Sequence, residues 1–299
     1  RSRDEFGEMG RVFNTVGPQL EANYQMRKSL DLAKEVQQRL LPKSNLNING
    51  FDIAGKSVYC EETGGDYYDF ITGGRGENGQ LAIAVGDVSG HGISSALLMA
   101  TVRSSLRQRL SQPGDASSII SDVNRQLTRD VEDTGRFITL FYLQIDMDNR
   151  SLSWVRAGHE PALLFDPDAD RFEELTGEGI ALGVDGRWQY AESRRDGLGD
   201  GQIILLSTDG IWEARNPQDR MFGRETVSDI IRQHAQTSAA KIQDAILTEL
   251  NRFQEGVAPA DDTTLVVIKV RGQRAGARGQ MPEDRCQSTD DRRQRSEYR

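Results

Sequence analysis

The sequence contains few cysteines, few histidines and no long apolar run, and these shortages exclude several classes of protein. Its two cysteines, Cys60 and Cys286, are too few for a disulfide framework, and neither has a Cys or His neighbour at zinc-ligand spacing. No apolar stretch approaches the roughly 18 residues that a membrane-spanning helix needs. We therefore expect a domain that works in a reducing compartment, the cytoplasm, and does not itself cross a membrane.

Basic residues are also in the minority. The 37 Lys and Arg are outnumbered by 46 Asp and Glu, so the formal net charge is −9. Nucleic acids and anionic membranes are bound through basic faces, and this balance argues against both as general partners. The chain has no initiator Met and starts at Arg1 within a helical pattern. We expect a piece of a longer protein, whose upstream part would supply any anchor in the inner membrane.

Composition divides the chain into three segments. Residues 1–44 carry apolar residues at three- and four-residue intervals, which indicates a helical linker that Gly17-Pro18 interrupts. Residues 45–271 contain apolar strands and paired helices without strict βαβ alternation, which is typical of an α+β layered sandwich. Residues 272–299 are rich in Arg and nearly devoid of apolar residues, so we predict a disordered tail.

The second half of the linker has the spacing of a short coiled-coil seam. The positions of this seam are Met26, Ser29, Ala33, Val36 and Leu40. Such a seam would join two copies of the chain into a homodimer. The same periodicity is compatible with a helix that packs on its own domain, and both alternatives stay open at this point.

Alternation and apolar runs predict the elements of the middle segment. Strands are expected at 51–59, 66–71, 80–88, 137–146, 151–158, 161–166, 201–210 and 263–270, with a glycine-rich hairpin turn at 73–79. Helices are expected from residue 93 to about 110, from the N-cap Asp115 onward, and at 223–233 and 238–254.

Aspartates recur where these apolar strands meet loops. Four motifs have this form: "GGDYYDF" (64–70), "GDVSGHG" (86–92), "STDGIWEA" (207–214) and "DDTTLVV" (261–267). Carboxylate oxygens are the ligands that Mg²⁺ and Mn²⁺ prefer. A single such aspartate is more commonly a turn cap. Four of them, each beside a glycine or a second acid, indicate a two-metal centre for displacement at phosphorus.

"GGDYYDF" also looks like the GGDEF signature of diguanylate cyclases, which condense two GTP molecules on a β-hairpin. A cyclase would leave the other three aspartate motifs without a role, and the segment upstream of "GGDYYDF" is a helical linker. We therefore disfavour a GGDEF-like nucleotide cyclase. The aromatic residues Tyr67, Tyr68 and Phe70 are expected to pack within a strand.

Together with "QQRLLP" (37–42), the four motifs resemble the PPM (type 2C) metal-dependent serine/threonine phosphatases, and more narrowly their SpoIIE/RsbU branch. The motifs occur in family order, and the resemblance covers about residues 35–270. It implies an αββα sandwich with two Mn²⁺ or Mg²⁺ ions at one edge. The first block, "DEFGEMGRVFNTV" (4–16), resembles the C-terminal end of a HAMP signalling module, which implies a signal relayed from a membrane sensor.

The resemblance implies metal-binding roles for individual residues. Asp87 would bridge both ions, and the backbone carbonyl of Val88 would complete one coordination shell. Asp66 would support one ion, largely through water.

The other ion would be held by Asp209 and Asp261. The "DDTT" motif leaves two neighbouring acids to choose from, and we favour Asp261 as the ligand, with Asp262 orienting it. Gly86 and Gly210 would give room beside the ligands. Asp209, together with the bridging aspartate Asp87, would be catalytic through a metal-bound hydroxide.

Two further polar residues have competing interpretations. His91 is a candidate general acid because histidine titrates near neutrality. Distant relatives carry a His directly after an Asp-Gly pair, whereas this one lies further along, so a structural role in the turn is the favoured alternative. Asp69 could orient a metal ligand or lie on the surface, and we expect a surface residue. The phosphate-binding Arg of distant relatives has no clear counterpart in this sequence.

The implied reaction is hydrolysis of phosphoserine or phosphothreonine on a regulatory protein in bacterial signal transduction. The resemblance points to a STAS-domain anti-sigma-factor antagonist as the substrate, in a partner-switching pathway. Signals along residues 1–41 would reposition the helix pair at about 93–130. The alternatives are a non-catalytic partner-binding domain of the same fold and a dimeric scaffold in which the seam is the main function.

Overall fold

The computed structural model describes residues 5–42, 45–48, 50–72 and 80–272. The predicted turn at 73–79 and all but the first residue of the predicted tail lie outside this range. Among the described helices, none combines the length and the apolar character that crossing a bilayer requires.

The chain begins with one long helix, α1 (Glu5–Leu40). This helix continues through Pro18, so the predicted interruption at Gly17-Pro18 was wrong. A proline removes one backbone hydrogen bond and usually bends a helix. Here the bonded turns on both sides of Pro18 hold the helix together despite that loss.

Eleven strands follow among the described residues, in two antiparallel sheets. The first sheet has the spatial order β1 (Leu46–Ile48), β2 (Phe51–Val58), β11 (Thr263–Val270), β10 (Ile203–Ser207), β7 (Ala162–Asp166) and β8 (Arg171–Leu175). The second has the order β3 (Tyr67–Thr72), β4 (Gln80–Val88), β5 (Ile138–Asp146), β6 (Ser151–Ala157) and β9 (Ser193–Arg195). The short strands β1, β8 and β9 were not predicted.

Two helix pairs cover the outer faces of the sheets. The pair α2 (Ile93–Leu110) and α3 (Ala116–Val131) packs on the second sheet, and the pair α4 (Gly223–His234) and α5 (Ala239–Gln254) packs on the first. A third apolar cluster fills the space between the sheets. The predicted four-layer αββα sandwich is therefore confirmed.

The layered packing explains why the strands were readable in the sequence. The central strands β4 and β11 are covered on both faces, so "LAIAV" and "LVVIKV" are nearly continuous apolar runs. Helix α3 begins where its N-cap was predicted, since the Asp115 carboxylate accepts a hydrogen bond from the Ser118 backbone N–H at 2.8 Å. Short edge strands have little apolar patterning and gave no comparable signal.

The predicted seam of α1 is only partly buried. Leu40 packs against the cluster beneath α2 and α3, and Ala33 is half-buried. Met26 and Val36 instead point outward, with more than half of each side chain exposed. The C-terminal end of α1 therefore packs on its own domain, and the seam positions Met26 and Val36 stay exposed.

Candidate metal centre

Strand register brings the four aspartate motifs to one edge of the sandwich. Tyr67 pairs with Gly86, which places Asp66 beside Asp87 on the second sheet. On the first sheet, Ser207 at the end of β10 pairs with Leu265 near the start of β11. Asp209 and Asp261 follow and precede these strands, and so lie near one another. Each sheet contributes two of the four predicted carboxylate ligands.

The carboxylates are close enough to disturb one another's ionisation. Burial raises the pKa of Asp87 to about 7, and the negative charges of Asp209, Asp261 and Asp262 contribute. Burial and the neighbouring Asp87 charge raise the pKa of Asp66 well above its usual value. Burial and the charge of Asp261 raise that of Asp209 in the same way. The site therefore concentrates negative charge that a bound cation would neutralise.

Asp66 is fixed by a hydrogen bond that crosses from one sheet to the other. It is almost completely buried, and its Oδ2 accepts a hydrogen bond from the Thr208 hydroxyl at 2.8 Å. The backbone N–H of Thr264 donates to the same hydroxyl oxygen at 3.0 Å. Thr208 directly precedes Asp209, so the hydrogen bond between Thr208 and Asp66 links two of the predicted ligands.

The two acids of the "DDTT" motif have different environments. Asp262 is buried, and its carboxylate accepts hydrogen bonds from the backbone N–H groups of Cys60 and Gly65, both at 2.9 Å. Asp261 is exposed, and its charge acts on Asp87 and Asp209. Asp262 thus holds the loop that leads into Asp66, whereas the exposed Asp261 carboxylate accepts a single backbone hydrogen bond at one oxygen, from the Asp262 N–H at 2.8 Å. This arrangement favours Asp261 as the direct ligand.

Two glycines allow the backbone to approach the acids closely. A Cβ atom at Gly65 would lie 2.7 Å from the carbonyl oxygen of Val88 and 3.2 Å from Oδ1 of Asp87. A Cβ at Gly210 would overlap the carbonyl oxygen of Asp262. Any side chain at either position would push the predicted ligands apart. Gly86 lies in β4 opposite Leu140, where a Cβ would come within 2.7 Å of the Thr139 carbonyl oxygen.

The donor set fits hard divalent cations. All the candidate ligands are carboxylate or carbonyl oxygens, which suits Mg²⁺ and Mn²⁺. In the part of the chain that the structure describes, no three acidic, histidine or cysteine side chains meet closely enough to hold an ion by themselves. Mg²⁺ usually binds through one or two carboxylates and retains several waters. The water-mediated role of Asp66 stays a prediction.

His91 lies on the loop between β4 and α2. Its side chain is 75% exposed, and its Nδ1 lies 3.2 Å from Oε2 of Glu61. The histidine thus joins two loops at the rim of the site. A role for it as general acid remains a prediction.

Asp69 is not a surface residue, so that expectation was wrong. It is completely buried beneath α2, and Arg107 donates two hydrogen bonds of 2.6 Å to its carboxylate. Arg103 lies 3.7 Å away, and the Tyr67 hydroxyl donates to the carboxylate at 3.0 Å. Strand alternation places Asp69 on the face of β3 that α2 covers. It binds α2 to β3 and does not reach the metal centre.

Gln37 has no predicted role, although it lies within the quoted "QQRLLP" motif. This side chain is buried, and its Nε2 donates to the carbonyl oxygen of Gly64 at 2.6 Å. Its Oε1 accepts a hydrogen bond from the Gly64 N–H at 3.2 Å. The Gln37 side chain therefore forms hydrogen bonds with both the N–H and the carbonyl oxygen of Gly64, which lies two positions before Asp66.

Comparison with known proteins finds relatives that include phosphoserine phosphatases. The family model described as Stage II sporulation protein E (SpoIIE) matches residues 77–271. Phosphoserine phosphatase RsbU of Bacillus subtilis (strain 168) is 29% identical over 245 residues, which cover 82% of this chain and 71% of RsbU. Phosphoserine phosphatase RsbP of the same organism is 25% identical over 248 residues. The match covers 82% of this chain but only 58% of RsbP.

Solved structures share the architecture. The SiaA-PP2C domain of Pseudomonas aeruginosa superimposes with a TM-score of 0.71 at 23% identity, covering 83% of this chain and 98% of that domain. RsbX, crystallised in complex with magnesium, superimposes with a TM-score of 0.56 at 16% identity, covering 76% of this chain and 98% of RsbX. These likenesses identify the sandwich as the PP2C phosphatase fold. The chain therefore belongs to the SpoIIE family, and its sandwich is a PP2C-type serine/threonine phosphatase domain.

Proposed function

We propose that this chain is a metal-dependent phosphatase that removes phosphate from phosphoserine or phosphothreonine of a STAS-type anti-sigma-factor antagonist. The observation that carries the proposal is the meeting of carboxylates from both sheets at one edge, where they raise one another's pKa. The names of RsbU and RsbP as phosphoserine phosphatases support the choice of substrate residue. A regulatory phosphoprotein is the kind of substrate that such an open site at the edge of a sandwich can reach.

Some residues of the site would bind the metal ions, and others would position those ligands. Two Mn²⁺ or Mg²⁺ ions, when bound, would supply Lewis-acid charge and make water a better nucleophile near neutral pH. The residues that would hold the ions are Asp66, Asp87, Asp209, Asp261 and the Val88 carbonyl. Thr208 keeps Asp66 oriented, and Asp262 holds the preceding loop against the first sheet.

Dephosphorylation of purified phospho-STAS proteins with and without Mn²⁺ tests the proposal. We expect phosphate release in the presence of Mn²⁺ and none in EDTA, with no release from the same protein phosphorylated on tyrosine. Stable binding of the phosphoprotein without release would favour the non-catalytic alternative. Formation of a cyclic dinucleotide from GTP and Mg²⁺ would favour the cyclase alternative.

We also propose that α1 controls the site, as the HAMP-like block at its start would require. Control would pass through Gln37, whose paired hydrogen bonds with Gly64 fix the chain just before Asp66. The α2–α3 pair lies beside the end of α1 and is the element expected to move with it. The domain would work in the cytoplasm, with any membrane sensor upstream of the linker.

Replacing Gln37 with alanine should lower the Mn²⁺-dependent rate by about tenfold. The variant removes both partners of Gly64 and frees the segment that carries Asp66, at a cost of about 1–2 kcal/mol in the free energy of unfolding. Steady-state kinetics and chemical denaturation measure the two effects. Gln38→Ala is the matched control, because Gln38 neighbours it on α1 and is exposed. Equal rates for the two variants would contradict control through Gln37.

The exposed face of α1 should join two copies of the chain. Met9, Phe13, Leu20 and Tyr24 each leave more than half of their side chains exposed, and their intervals of four and seven residues put them on one helix face that can pair with a second helix. Analytical ultracentrifugation should give twice the chain mass of 33.3 kDa. Leu20→Glu should yield monomers, whereas Gln19→Glu should not. A monomeric wild-type chain at micromolar concentration would refute the homodimer.

A further inference from the structure

His159 is a buried histidine that the predicted site does not include. It lies in the connection between β6 and β7, where the chain passes from the second sheet to the first. Only 3% of its surface is exposed. Gly158, before it, has a φ of +67°, and a Cβ there would lie 2.7 Å from the Ala181 backbone N. The glycine thus permits the turn that sends the imidazole inward.

Both ring nitrogens of His159 have partners on different sheets. Nε2 lies 3.1 Å from the carbonyl oxygen of Ser207, which can only accept, so Nε2 carries the proton. Nδ1 lies 2.8 Å from the Thr139 hydroxyl, and in the neutral ring it accepts a hydrogen bond from that hydroxyl. Burial lowers the pKa of His159 to about 4, so the ring is neutral at physiological pH.

The partners of the imidazole adjoin the predicted metal ligands. Thr139 is the residue of β5 that pairs directly with Asp87 of β4. Ser207 ends β10, two positions before Asp209. The His159 ring therefore connects Thr139, which lies opposite Asp87 on the second sheet, with Ser207, which precedes Asp209 on the first.

The connection matters because neither sheet alone contains the predicted centre. Asp66 and Asp87 belong to the second sheet, and Asp209 and Asp261 to the first, so the separation of the two sheets sets the separation of the ligands. A change of 1 Å between the sheets would change the metal-to-ligand distances by a similar amount. Metal sites tolerate deviations of only about 0.2 Å from their preferred distances.

We propose that His159 is a positioning residue, which holds the Asp87 strand and the Asp209 strand end at the separation that two-metal binding requires. The inference rests on the proposed function for the identity of the ligands. The loop is itself secured, since Arg156 donates hydrogen bonds to the carbonyl oxygens of His159 and Gly177. His159 thus acts as a rigid inter-sheet spacer and takes no part in proton transfer.

The test compares Mn²⁺ binding and turnover in variants that break the connection. His159→Leu removes both hydrogen bonds, and Thr139→Val removes one hydroxyl while retaining the shape of the side chain. We expect both to weaken Mn²⁺ binding, measured by calorimetry, by about 10- to 100-fold, the range found when supporting partners of metal ligands are removed. The kcat at non-saturating Mn²⁺ should fall in parallel, with the KM for phosphoprotein little changed. His159→Gln, which retains a donor and an acceptor, should recover much of the binding.

Trp154→Phe provides the matched control. The Trp154 indole on β6 donates a partly buried hydrogen bond to the carbonyl oxygen of Thr176, just after β8, at 2.8 Å. It therefore also joins the two sheets, but away from the four aspartates of the predicted centre. Its loss should lower thermal stability and leave Mn²⁺ affinity unchanged. Wild-type Mn²⁺ affinity in folded Thr139→Val or His159→Leu would overturn the inference, as would an equal loss in Trp154→Phe. Absence of phosphatase activity in the wild type would refute the proposed function, and the binding comparison would still decide the role of His159.

Discussion

Replacing Asp87 with asparagine is expected to lower kcat on phosphoserine protein by about a thousandfold or more while leaving the fold intact. The proposed assignment makes Asp87 a ligand of both ions, and an amide would offer only one weakly basic oxygen where the carboxylate offers two charged ones. Metal charge at the reacting phosphate supplies several kcal/mol of transition-state stabilisation, and about 4 kcal/mol corresponds to three orders of magnitude in rate. Single-turnover kinetics at saturating Mn²⁺ measures the effect on the chemical step.

Asp166→Asn is the control for that experiment. Asp166 also ends an apolar strand, but it caps a turn, accepting hydrogen bonds from the backbone N–H groups of Asp168 and Ala169 at 3.0 and 3.2 Å. Its substitution should leave kcat unchanged. A comparable loss in both variants, or a folded Asp87→Asn with near wild-type kcat, would refute the assignment of Asp87 to the metal centre.

The contrast between Asp87 and Asp166 shows that a single strand-end aspartate does not identify a metal ligand from the sequence. Asp87 and Asp166 are locally alike, since each ends an apolar run beside a loop. The candidate site became predictable because four such motifs occur in one chain, and because the fold brings strand ends to a shared edge. The expected choice of Asp261 over Asp262 came from the family resemblance, and the backbone contacts of Asp262 give it a physical basis.

The remaining errors come from contacts between distant parts of the chain. Asp69 looked exposed because nothing nearby in the sequence shows that Arg107 will lie over it. Gln37 and His159 are polar residues within otherwise ordinary segments. The partner of Gln37 lies 27 residues away, and those of His159 lie 20 and 48 residues away. Helix α2 was predicted correctly, but Ile93 and Leu97, two apolar residues of its first turns, are exposed. Periodicity identifies an element more reliably than it identifies the partner of each side chain.

Without metal, the free energy of unfolding should fall as the pH rises from about 4 to 7. The pKa of Asp87 is raised to about 7 in the folded protein from an unfolded value of 3.8, so the folded state binds more protons between these limits. The stabilisation is therefore complete below pH 4 and is lost as Asp87 ionises. Three pKa units correspond to about 4 kcal/mol, and partial solvation of the carboxylate reduces the expected loss to the order of 3 kcal/mol.

Thermal denaturation in EDTA and in Mn²⁺, at pH 5 and pH 8, measures the stability lost as Asp87 ionises and the part of it that Mn²⁺ restores. In EDTA the wild-type Tm should drop by about 5–10 °C between the two pH values, since about 1 kcal/mol shifts the Tm of a domain this size by 2–4 °C. Saturating Mn²⁺ should remove most of the drop, because the ion neutralises the acids that repel one another and binds only the folded state. Asp87→Asn should flatten the EDTA profile, and Asp166→Asn should not, because Gln202 and turn N–H groups lower the pKa of Asp166 instead. A wild-type drop that Mn²⁺ leaves unchanged would mean that these carboxylates do not share a cation, and the proposed centre would have to be abandoned.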